Sequence, residues 1–255
     1  MSKLIIGNLK MNILSPPQQE QYLSLFKKEL TGKKINNCEL ILCPSAIHLP
    51  GFQKAKIKKI ILGAQNMFWE EKGSYTGEIS PSMLKNFGCE YVILGHSERR
   101  RYFCERDEEV NLKVISALKS GLKPILCVGE SKSEKENNQT LSIITRQVKS
   151  ALEKVSRAKA ENLVIAYEPI WSVGTDEIPK SNEVMEARVL IFKILTGIFG
   201  SKYAQKVKII YGGSVSTSTV KQVCLEPGMD GALIGRESLT PYEFIKIASI
   251  IDKIL

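Results

Sequence analysis

The sequence contains no apolar run that approaches the roughly 18–20 residues of a membrane-spanning helix. Its first residues, MSKLIIGNLKMN, form too short and too polar a stretch for a secretory signal. No linker rich in Gly, Ser or Pro divides the chain. We therefore expect a cytoplasmic protein with a single domain over residues 1–255, a length that α/β barrels commonly reach.

Cysteine spacing of the kind that metal sites and disulfide frameworks require is also absent. Several of the six cysteines fall in apolar runs that are typical of strands. We therefore predict reduced and mostly buried thiols at Cys38, Cys43, Cys89, Cys104, Cys127 and Cys224.

The positive charge lacks the aromatic neighbours that would stack on bases. The net charge is +9, and the basic residues form short clusters at 27–28, 33–34, 54–59 and 99–101. A basic protein can bind nucleic acid or a membrane surface. Without interleaved aromatic side chains, solvated surfaces that weakly attract small anions are favoured. We therefore expect neither a nucleic-acid nor a membrane partner.

Short runs rich in Ile, Val and Leu recur along the whole chain. Each run is almost continuously apolar, as expected of a strand that is buried on both faces of a parallel sheet. The runs cover residues 4–7, 40–43, 60–63, 91–94, 124–128, 163–167, 207–211 and 231–234.

Amphipathic stretches with helical spacing separate these runs. They cover residues 16–30, 108–120, 139–155, 182–199, 217–224 and 241–254, and shorter helices are expected within 45–56 and 81–87. Alternating strands and helices favour either a closed barrel or an open doubly wound sheet. No G-x-G-x-x-G motif follows the first run, so we predict an α/β fold with a closed eight-stranded parallel barrel.

Polar residues follow several of the predicted strands, where the active sites of such barrels lie. Asn8 and Lys10 follow the first strand, and His96 and Glu98 follow the fourth. A surface lysine and a hydrogen-bonded core histidine are the ordinary alternatives. The chain has only two histidines, and the other, His48, lies in an early loop. We therefore interpret His96 as a catalytic candidate.

The segment LVIAYEPIW, residues 163–171, places a carboxylate at the end of an apolar strand. Pro169 favours an extended conformation at Glu168, which should end the strand. A carboxylate beside apolar neighbours tends to have a raised pKa, which suits a general base. A solvated glutamate in an ordinary loop remains the alternative, and this segment alone does not decide.

Two turns near the ends of the last strands are candidates for anion binding. Gly212, Gly213 and Ser214 follow the seventh strand, and Gly235 and Arg236 follow the eighth. Free backbone N–H groups at such turns can bind phosphate, and sites at these positions recur in barrels. A phosphorylated small molecule is therefore the expected ligand.

Seven motifs in one order resemble the triosephosphate isomerase family and together span nearly the full length. AYEPIW with GHSERR is the most specific pair. The motifs are GNLKMN (7–12), GSYTGEIS (73–80), ILGHSERR (93–100), ILCVGE (125–130), AYEPIWSVGT (166–175), YGGSV (211–215) and DGALIG (230–235).

The resemblance implies interconversion of dihydroxyacetone phosphate and glyceraldehyde 3-phosphate with neither cofactor nor metal. It implies that Glu168 is the base and that His96 is a neutral imidazole that moves a proton. Lys10 and Asn8 would stabilise the enediolate, and Glu98 would be a second carboxylate beside them.

The same resemblance implies that backbone N–H groups near Gly174, Ser214, Gly235 and Arg236 hold the phosphate. Pro169, Ile170 and Trp171 would form the hinge of a lid whose tip is 172–175. An ordinary core role is the alternative for Trp171.

The resemblance also implies a homodimer. The loop 66–80 would project into a partner subunit, where Thr76 would contact the region of Asn8. This loop is long for a βα connection, which also fits a surface loop with no partner.

The chain departs from the family pattern at several positions. Leu9 stands where tryptophan is usual, which alters packing rather than chemistry. Asp176 and Glu177 place carboxylates in the lid, which is unfavourable near a phosphate unless they point outward. Pro179 fixes φ where alanine is usual, so we expect altered lid kinetics. Residues 236–237 follow Gly235 where small residues are frequent.

Two alternatives stay open at this point. One is another phosphate-binding barrel enzyme, although the Asn–x–Lys and YEPIW motifs argue against it. The other is a catalytically silent basic barrel that serves as a binding protein, a role that would need neither Lys10, His96 nor Glu168.

Overall fold

The chain folds into a closed barrel of eight parallel strands, each of which pairs with its neighbours in sequence order. The structure is a computed structural model that describes residues 2–175 and 177–253. The strands are β1 (Lys3–Asn8), β2 (Cys38–Cys43), β3 (Ile60–Ala64), β4 (Cys89–Leu94), β5 (Lys123–Val128), β6 (Val164–Tyr167), β7 (Lys208–Tyr211) and β8 (Gly231–Ile234).

Ten α-helices lie in the described part of the chain. They are α1 (Pro16–Leu30), α2 (Leu49–Ala55), α3 (Pro81–Asn86), α4 (Ser97–Phe103), α5 (Asp107–Lys119), α6 (Lys132–Glu136), α7 (Thr140–Ala151), α8 (Ser181–Phe199), α9 (Ser201–Ala204) and α10 (Pro241–Asp252). Two of them begin with favourable sequences: Ser15 caps α1 and Ser80 caps α3, and the first residue of both helices is proline.

Side chains alternate between the barrel interior and the layer beneath the helices, since successive strand residues point to opposite faces. One buried cluster joins Leu4, Ile41, Ile125 and Ile210. A larger cluster joins the other strand faces to the helices. Burial on both faces explains why the strands are continuously apolar in sequence.

The sequence predicted the closed barrel and all eight strands correctly, with ends that differ by at most two residues. It did not predict α6 or α9, and it indicated only the first turn of α4, at residues 97–98; all three helices are short and carry no complete apolar stripe. The predicted helix 139–155 ends at Ala151. The predicted helix 217–224 was wrong in form, because only Lys221–Leu225 winds regularly, as a π-helix. Hydroxyl contacts at its start compete with helical bonding: Ser216 N donates to Thr219 Oγ1 at 2.9 Å.

All six cysteines carry free thiols, and four of them are buried. Cys38 is partly buried, whereas Cys104 is exposed. The prediction that most of these cysteines are buried is therefore confirmed. Within residues 2–175 and 177–253, every helix is too short or too polar to cross a bilayer.

Closure of the barrel requires a glycine at the junction of β8 with β1. Gly231 has φ of +148°, and a Cβ at this position would lie 1.9 Å from the carbonyl oxygen of Leu4. We expect Gly231→Ala to destabilise the protein by about 3 kcal/mol or more, because backbone must move on both strands. Chemical denaturation of purified protein measures the change.

Gly197→Ala is the matched control for this prediction. Gly197 lies inside α8, and a Cβ there would meet no atom within 4 Å. Alanine should leave stability unchanged or raise it by about 0.5–1 kcal/mol through helix propensity. Equal stability of the two variants would contradict the proposed packing at Gly231.

Candidate active site

A cavity of about 490 Å³ opens at the carboxyl end of the barrel. Its walls contain most of the catalytic and phosphate-binding residues that the sequence and the family resemblance predicted. Those residues are Asn8, Lys10, His96, Glu168, Gly174, Gly212, Gly213, Ser214, Gly235 and Arg236. Glu98 does not line the cavity but contacts Lys10, whose Nζ donates to Glu98 Oε1 at 2.5 Å. The structure thus brings together side chains from separate parts of the chain.

Lys10 is held at the rim by an unusual backbone. Its φ is +49°, a left-handed conformation that costs free energy for a residue with a Cβ. Three hydrogen bonds support this conformation: Lys10 N donates to Asn8 Oδ1 at 3.1 Å, and Lys10 O accepts from Ser45 Oγ at 2.8 Å and from Gln65 Nε2 at 2.9 Å. The conformation directs the ammonium group to the cavity.

His96 precedes α4 and caps it. The Nδ1 atom of His96 accepts a hydrogen bond from Glu98 N at 3.2 Å. A ring nitrogen that accepts from an N–H group carries no proton, so this contact requires the neutral tautomer with its proton on Nε2. The Nε2 atom lies 3.3 Å from Glu168 Oε1, on the cavity side. His96 therefore presents a donor to whatever occupies the cavity.

Glu168 follows β6 directly and continues its ladder, since its N–H donates to Val128 O at 2.7 Å. The prediction that Glu168 ends the strand is thus correct to within one residue. The side chain is only 2% exposed. Glu168 Oε2 accepts from Ser97 N at 3.1 Å, whereas Oε1 has no hydrogen-bond partner within the described residues. A buried carboxylate oxygen without a donor is poised to accept a proton.

Cys127 lies on β5 close to Glu168. Burial, and then the neighbouring Glu168 carboxylate, raise the pKa of the Cys127 thiol well above its ordinary value. The thiol is therefore protonated and does not compete with Glu168 as a base.

Glycines let the backbone of the turn after β7 approach the rim closely. A Cβ at Gly212 would lie 2.8 Å from Glu168 Cγ, and one at Gly213 would lie 2.2 Å from the Tyr211 hydroxyl oxygen. Larger residues at either position would displace side chains of the site. With Ser214 and the turn at Gly235, these glycines form the polar end of the cavity.

The segment after Glu168 is anchored by Trp171. Pro169 precedes a 3₁₀ helix, Ile170–Ser172, and Trp171 Nε1 donates to Glu130 Oε1 at 2.9 Å. The ammonium of Lys135 lies 3.5 Å from the centre of the Trp171 ring. Burial raises the pKa of the Glu130 carboxyl, and the contacts from Trp171 and Tyr167 only partly offset it. Trp171 is thus tied to the loop beyond β5.

The tip of this segment contacts the turn after β7. Ser214 Oγ donates to Ser172 O at 2.6 Å. Glu177 points away from the cavity, where Lys132 Nζ donates to its Oε1 at 2.6 Å. Asp176 lies outside the described residues. Pro179 is buried, and its carbonyl oxygen accepts from Gln222 Nε2 at 2.8 Å.

Several residues of the site were not singled out from the sequence. Asn12 lines the cavity, and Gln65 supports Lys10. Glu130 stands in the motif ILCVGE, which could have indicated its role. Thr76 lies in an exposed loop and does not line the cavity of its own chain.

Metal ions in proteins are held by clusters of His, Cys, Asp and Glu side chains. In the part of the chain that the structure describes, no three of them come together as ligands of one ion would. The ionisable side chains among the cavity-lining residues include Lys10, His96 and Glu168.

The fold and the cavity define a (β/α)₈-barrel protein whose rim combines a carboxylate, a neutral imidazole and an ammonium group. Comparisons with known proteins place it further. The model of the family described as triosephosphate isomerase matches residues 3–251. The chain therefore belongs to the triosephosphate isomerase family.

Curated relatives named triosephosphate isomerase match this chain over nearly their full length. A triosephosphate isomerase of Alkaliphilus oremlandii is 44% identical over 245 residues, which cover 96% of this chain and 97% of that protein. The one of Thermoanaerobacter pseudethanolicus is 42% identical over 247 residues, covering 96% and 98%. The one of Dictyoglomus turgidum is 43% identical over 243 residues, covering 95% and 96%.

A buried ion-pair cluster supports α4 behind His96. Glu105 Oε1 accepts from Arg99 Nε at 3.0 Å and from the buried Lys113 Nζ. Burial of Glu105 raises its pKa, but Lys113 and Arg99 outweigh it, so the net pKa is lowered. We expect Glu105→Gln to cost about 3–5 kcal/mol at neutral pH, because Lys113 would be left buried without its partner.

The pH dependence of this contribution follows from the lowered pKa. The stabilisation is present above the ordinary glutamate pKa and is lost as the pH falls through the folded-state pKa. Urea titrations at a series of pH values should show that the free energies of unfolding of the wild type and of Glu105→Gln converge as the pH falls from neutral to acid. Glu161→Gln, which removes an exposed pair with Lys206, is the control and should change stability by less than about 1 kcal/mol. If Glu105→Gln lowered stability by equally little, the stabilising role of the buried contact between Glu105 and Lys113 would be contradicted.

Proposed function

We propose that this chain interconverts dihydroxyacetone phosphate and D-glyceraldehyde 3-phosphate by proton transfer through an enediolate, a reaction of glycolysis and gluconeogenesis. The observation that carries the proposal is the meeting of Glu168, His96 and Lys10 in one cavity of a triosephosphate isomerase family member. The reaction is an intramolecular oxidoreduction, in which one carbon is oxidised as its neighbour is reduced.

Glu168 is the base in this proposal. Its Oε1 atom, which accepts no hydrogen bond within the described chain although His96 Nε2 lies 3.3 Å away, takes a proton from the carbon next to the carbonyl. The electron pair of the broken C–H bond forms the carbon–carbon double bond of the enediolate, and the carbonyl oxygen gains negative charge. A proton must also pass from the hydroxyl oxygen of the enediolate to the oxygen of the former carbonyl. Glu168 then returns its proton to the neighbouring carbon, the C=C electron pair forms that C–H bond, and the deprotonated oxygen becomes the new carbonyl, which completes the isomerisation.

His96 and Lys10 stabilise the charge that develops. The proton on His96 Nε2 faces the cavity and can be donated to the enediolate oxygens. The Lys10 ammonium supplies a fixed positive charge, which Glu98 holds in place and which Asn8 supports through the backbone. Such preorganised groups stabilise a developing anion without reorganisation at the moment of reaction.

The phosphate is proposed to bind at the glycine-rich end of the cavity. Backbone N–H groups near Gly174, Ser214, Gly235 and Arg236 would donate to its oxygens. The Arg236 side chain lines the cavity and adds positive charge at the entrance. The expected ligand is therefore a small phosphorylated triose.

Pro169, Ile170 and Trp171 are proposed to form the hinge of a lid over this phosphate. The 3₁₀ turn and the Trp171–Glu130 hydrogen bond make the first hinge stiff. The exposed tip at Gly174 and Thr175 lines the cavity and can close over it. Closure would exclude water from the enediolate.

We also propose a homodimer in which Thr76 reaches the partner's cavity. Exposed apolar side chains lie on the loops and short helices that follow the first four strands, namely Met11, Leu14, Ile47, Tyr75, Met83, Tyr102 and Phe103. Exposed apolar patches mark interaction surfaces. These residues lie in segments that follow four adjacent strands of the barrel, β1 to β4, so they are on one side of the molecule. Such a surface suits a self-complementary interface.

Replacement of Glu168 by glutamine should separate catalysis from stability. The side chain keeps its shape but cannot accept the proton, so we expect kcat to fall by about 10²–10⁴-fold with a smaller change in KM. A coupled assay with glyceraldehyde 3-phosphate measures both parameters.

The same variant should be as stable as the wild type or more stable, because the substitution removes a buried charge with an unpaired oxygen. Thermal unfolding provides this comparison. If turnover survives while the fold is intact, Glu168 is not the base; if wild-type protein has no isomerase activity, the proposed function fails.

The dimer proposal predicts a response to charge on the exposed apolar side. Ile47 is 82% exposed, and Ile47→Glu should place a charge in the interface and yield a monomer with reduced kcat. Val189→Glu, on the exposed side of α8, is the control and should leave the dimer intact. Sedimentation velocity distinguishes the states, and a monomeric wild-type protein would contradict the proposal.

A further inference from the structure

The barrel collects positive charge at the end opposite the cavity. Because the strands are parallel, all loops that lead from a helix into a strand lie at this end. We name it the basic face and define it by residues 2–3, 27–39, 54–60, 85–90, 119–123, 149–164, 200–208, 226–230 and 252–253. It holds 20 of the 36 Lys and Arg residues but only 8 of the 27 Asp and Glu residues. Its net charge is therefore +12, which leaves −3 for the rest of the +9 chain.

Nearly all of this charge is accessible and carried by lysine. Of the 20 basic residues, 19 are lysines, and 17 of the 20 are exposed. Only five of them form ion pairs within the described residues, at Lys3, Lys123, Lys154, Lys206 and Lys208. The others present uncompensated charge to solvent.

The densest part of the face joins the ends of α1 and α2 to the strands that follow. Segments 27–38 and 54–60 contain eight lysines, and Glu29 is their single acidic residue. The two segments touch, since Lys59 Nζ donates to Ile35 O at 3.2 Å. Clusters that are separate in the sequence thus form one continuous patch.

Helix dipoles do not account for this patch. Lys27, Lys28 and Lys54 lie in last helical turns, where a cation is favourable. Lys33, Lys34 and Lys58 lie beyond the helices.

Backbone conformation does not account for it either. Lys56 and Lys59 have φ of +43° and +73°, where glycine would fit with less strain. Lysine is therefore present at both positions in spite of the backbone rather than because of it.

Although the separate lysine clusters of the sequence predicted no membrane partner, we propose from their common face that the basic face docks electrostatically on the surface of an anionic lipid bilayer, with the active-site cavity turned toward solution. Clusters of four to eight lysines or arginines suffice for attraction to anionic headgroups. The large exposed apolar side chains, such as Met11, Leu14 and Phe103, lie outside this face, so no apolar anchor enters the lipid. Binding of this kind is peripheral and weakens as salt rises.

A bilayer suits the face better than nucleic acid does. The patch consists of loops and helix ends at one end of the barrel, and it offers no helix side or β-ribbon to a groove. No exposed Phe, Trp or Tyr on the basic face of the described chain is available to stack on bases. Lysines act as point charges, which suits headgroups that diffuse to meet them.

Cosedimentation with vesicles tests the proposal. Wild-type protein should bind vesicles of phosphatidylcholine mixed with phosphatidylglycerol, not vesicles of phosphatidylcholine alone, and should be released by high salt. Lys34→Gln with Lys58→Gln should lower the partition coefficient by about tenfold or more, since each lysine contributes roughly fivefold. Isomerase activity, if present, should persist on the vesicles, because the cavity faces away.

Lys193→Gln with Lys246→Gln is the matched control. Both lysines are exposed on α8 and α10, outside the basic face, and the net charge changes equally. This control should bind like the wild type. The proposal is overturned if anionic vesicles do not bind at low salt, if both double variants lose binding equally, or if duplex DNA displaces the protein from vesicles at equal phosphate concentration. None of these outcomes depends on the proposed reaction.

Discussion

Closing eight parallel strands into one ring satisfies every strand edge and also gives the molecule two unlike ends. Each strand places its last residue at one rim, and each segment that leads from a helix into a strand lies at the other. Asn8, His96 and Glu168 meet because they stand at the ends of β1, β4 and β6, although they are far apart in sequence. The same polarity gathers the lysines that precede the strands on the opposite face. Chemistry and positive charge are therefore separated by the fold itself.

The rim depends on backbone geometry as much as on side chains. Lys10 adopts φ of +49°, and Gly212 and Gly213 stand where a Cβ would strike Glu168 or Tyr211. The surrounding barrel has to stabilise this local strain, which is the usual situation at functional sites. The buried Glu168 carboxylate is a second costly feature, because its Oε1 atom accepts no hydrogen bond within the described chain. This lowers stability but leaves Oε1 able to interact with a molecule in the cavity.

The sequence predicted what periodicity and strand position determine. Strands buried on both faces are continuously apolar, so all eight could be located, and residues just after them could be placed at the rim. The sequence did not predict the full length of α4, because the segment SERRRYF has no apolar stripe. This helix is held by ion pairs of Arg99 with Glu105 and of Arg100 with Asp107. Such partners depend on tertiary placement. The lysine clusters, considered one by one, predicted only solvated surfaces, because their common face exists only in the closed barrel.

The proposed lid segment accommodates an unusual carboxylate, that of Glu177. A carboxylate near an incoming phosphate is unfavourable, yet Glu177 is turned away and paired with Lys132 on α6. Both side chains are more than half exposed, at 60% for Lys132 and 53% for Glu177, so solvent screens the pair and its net contribution is small. A strong contact here would hold the proposed lid in one position, whereas a weak one neutralises the carboxylate and would still let that lid move. An exposed pair therefore suits this segment better than a buried one would.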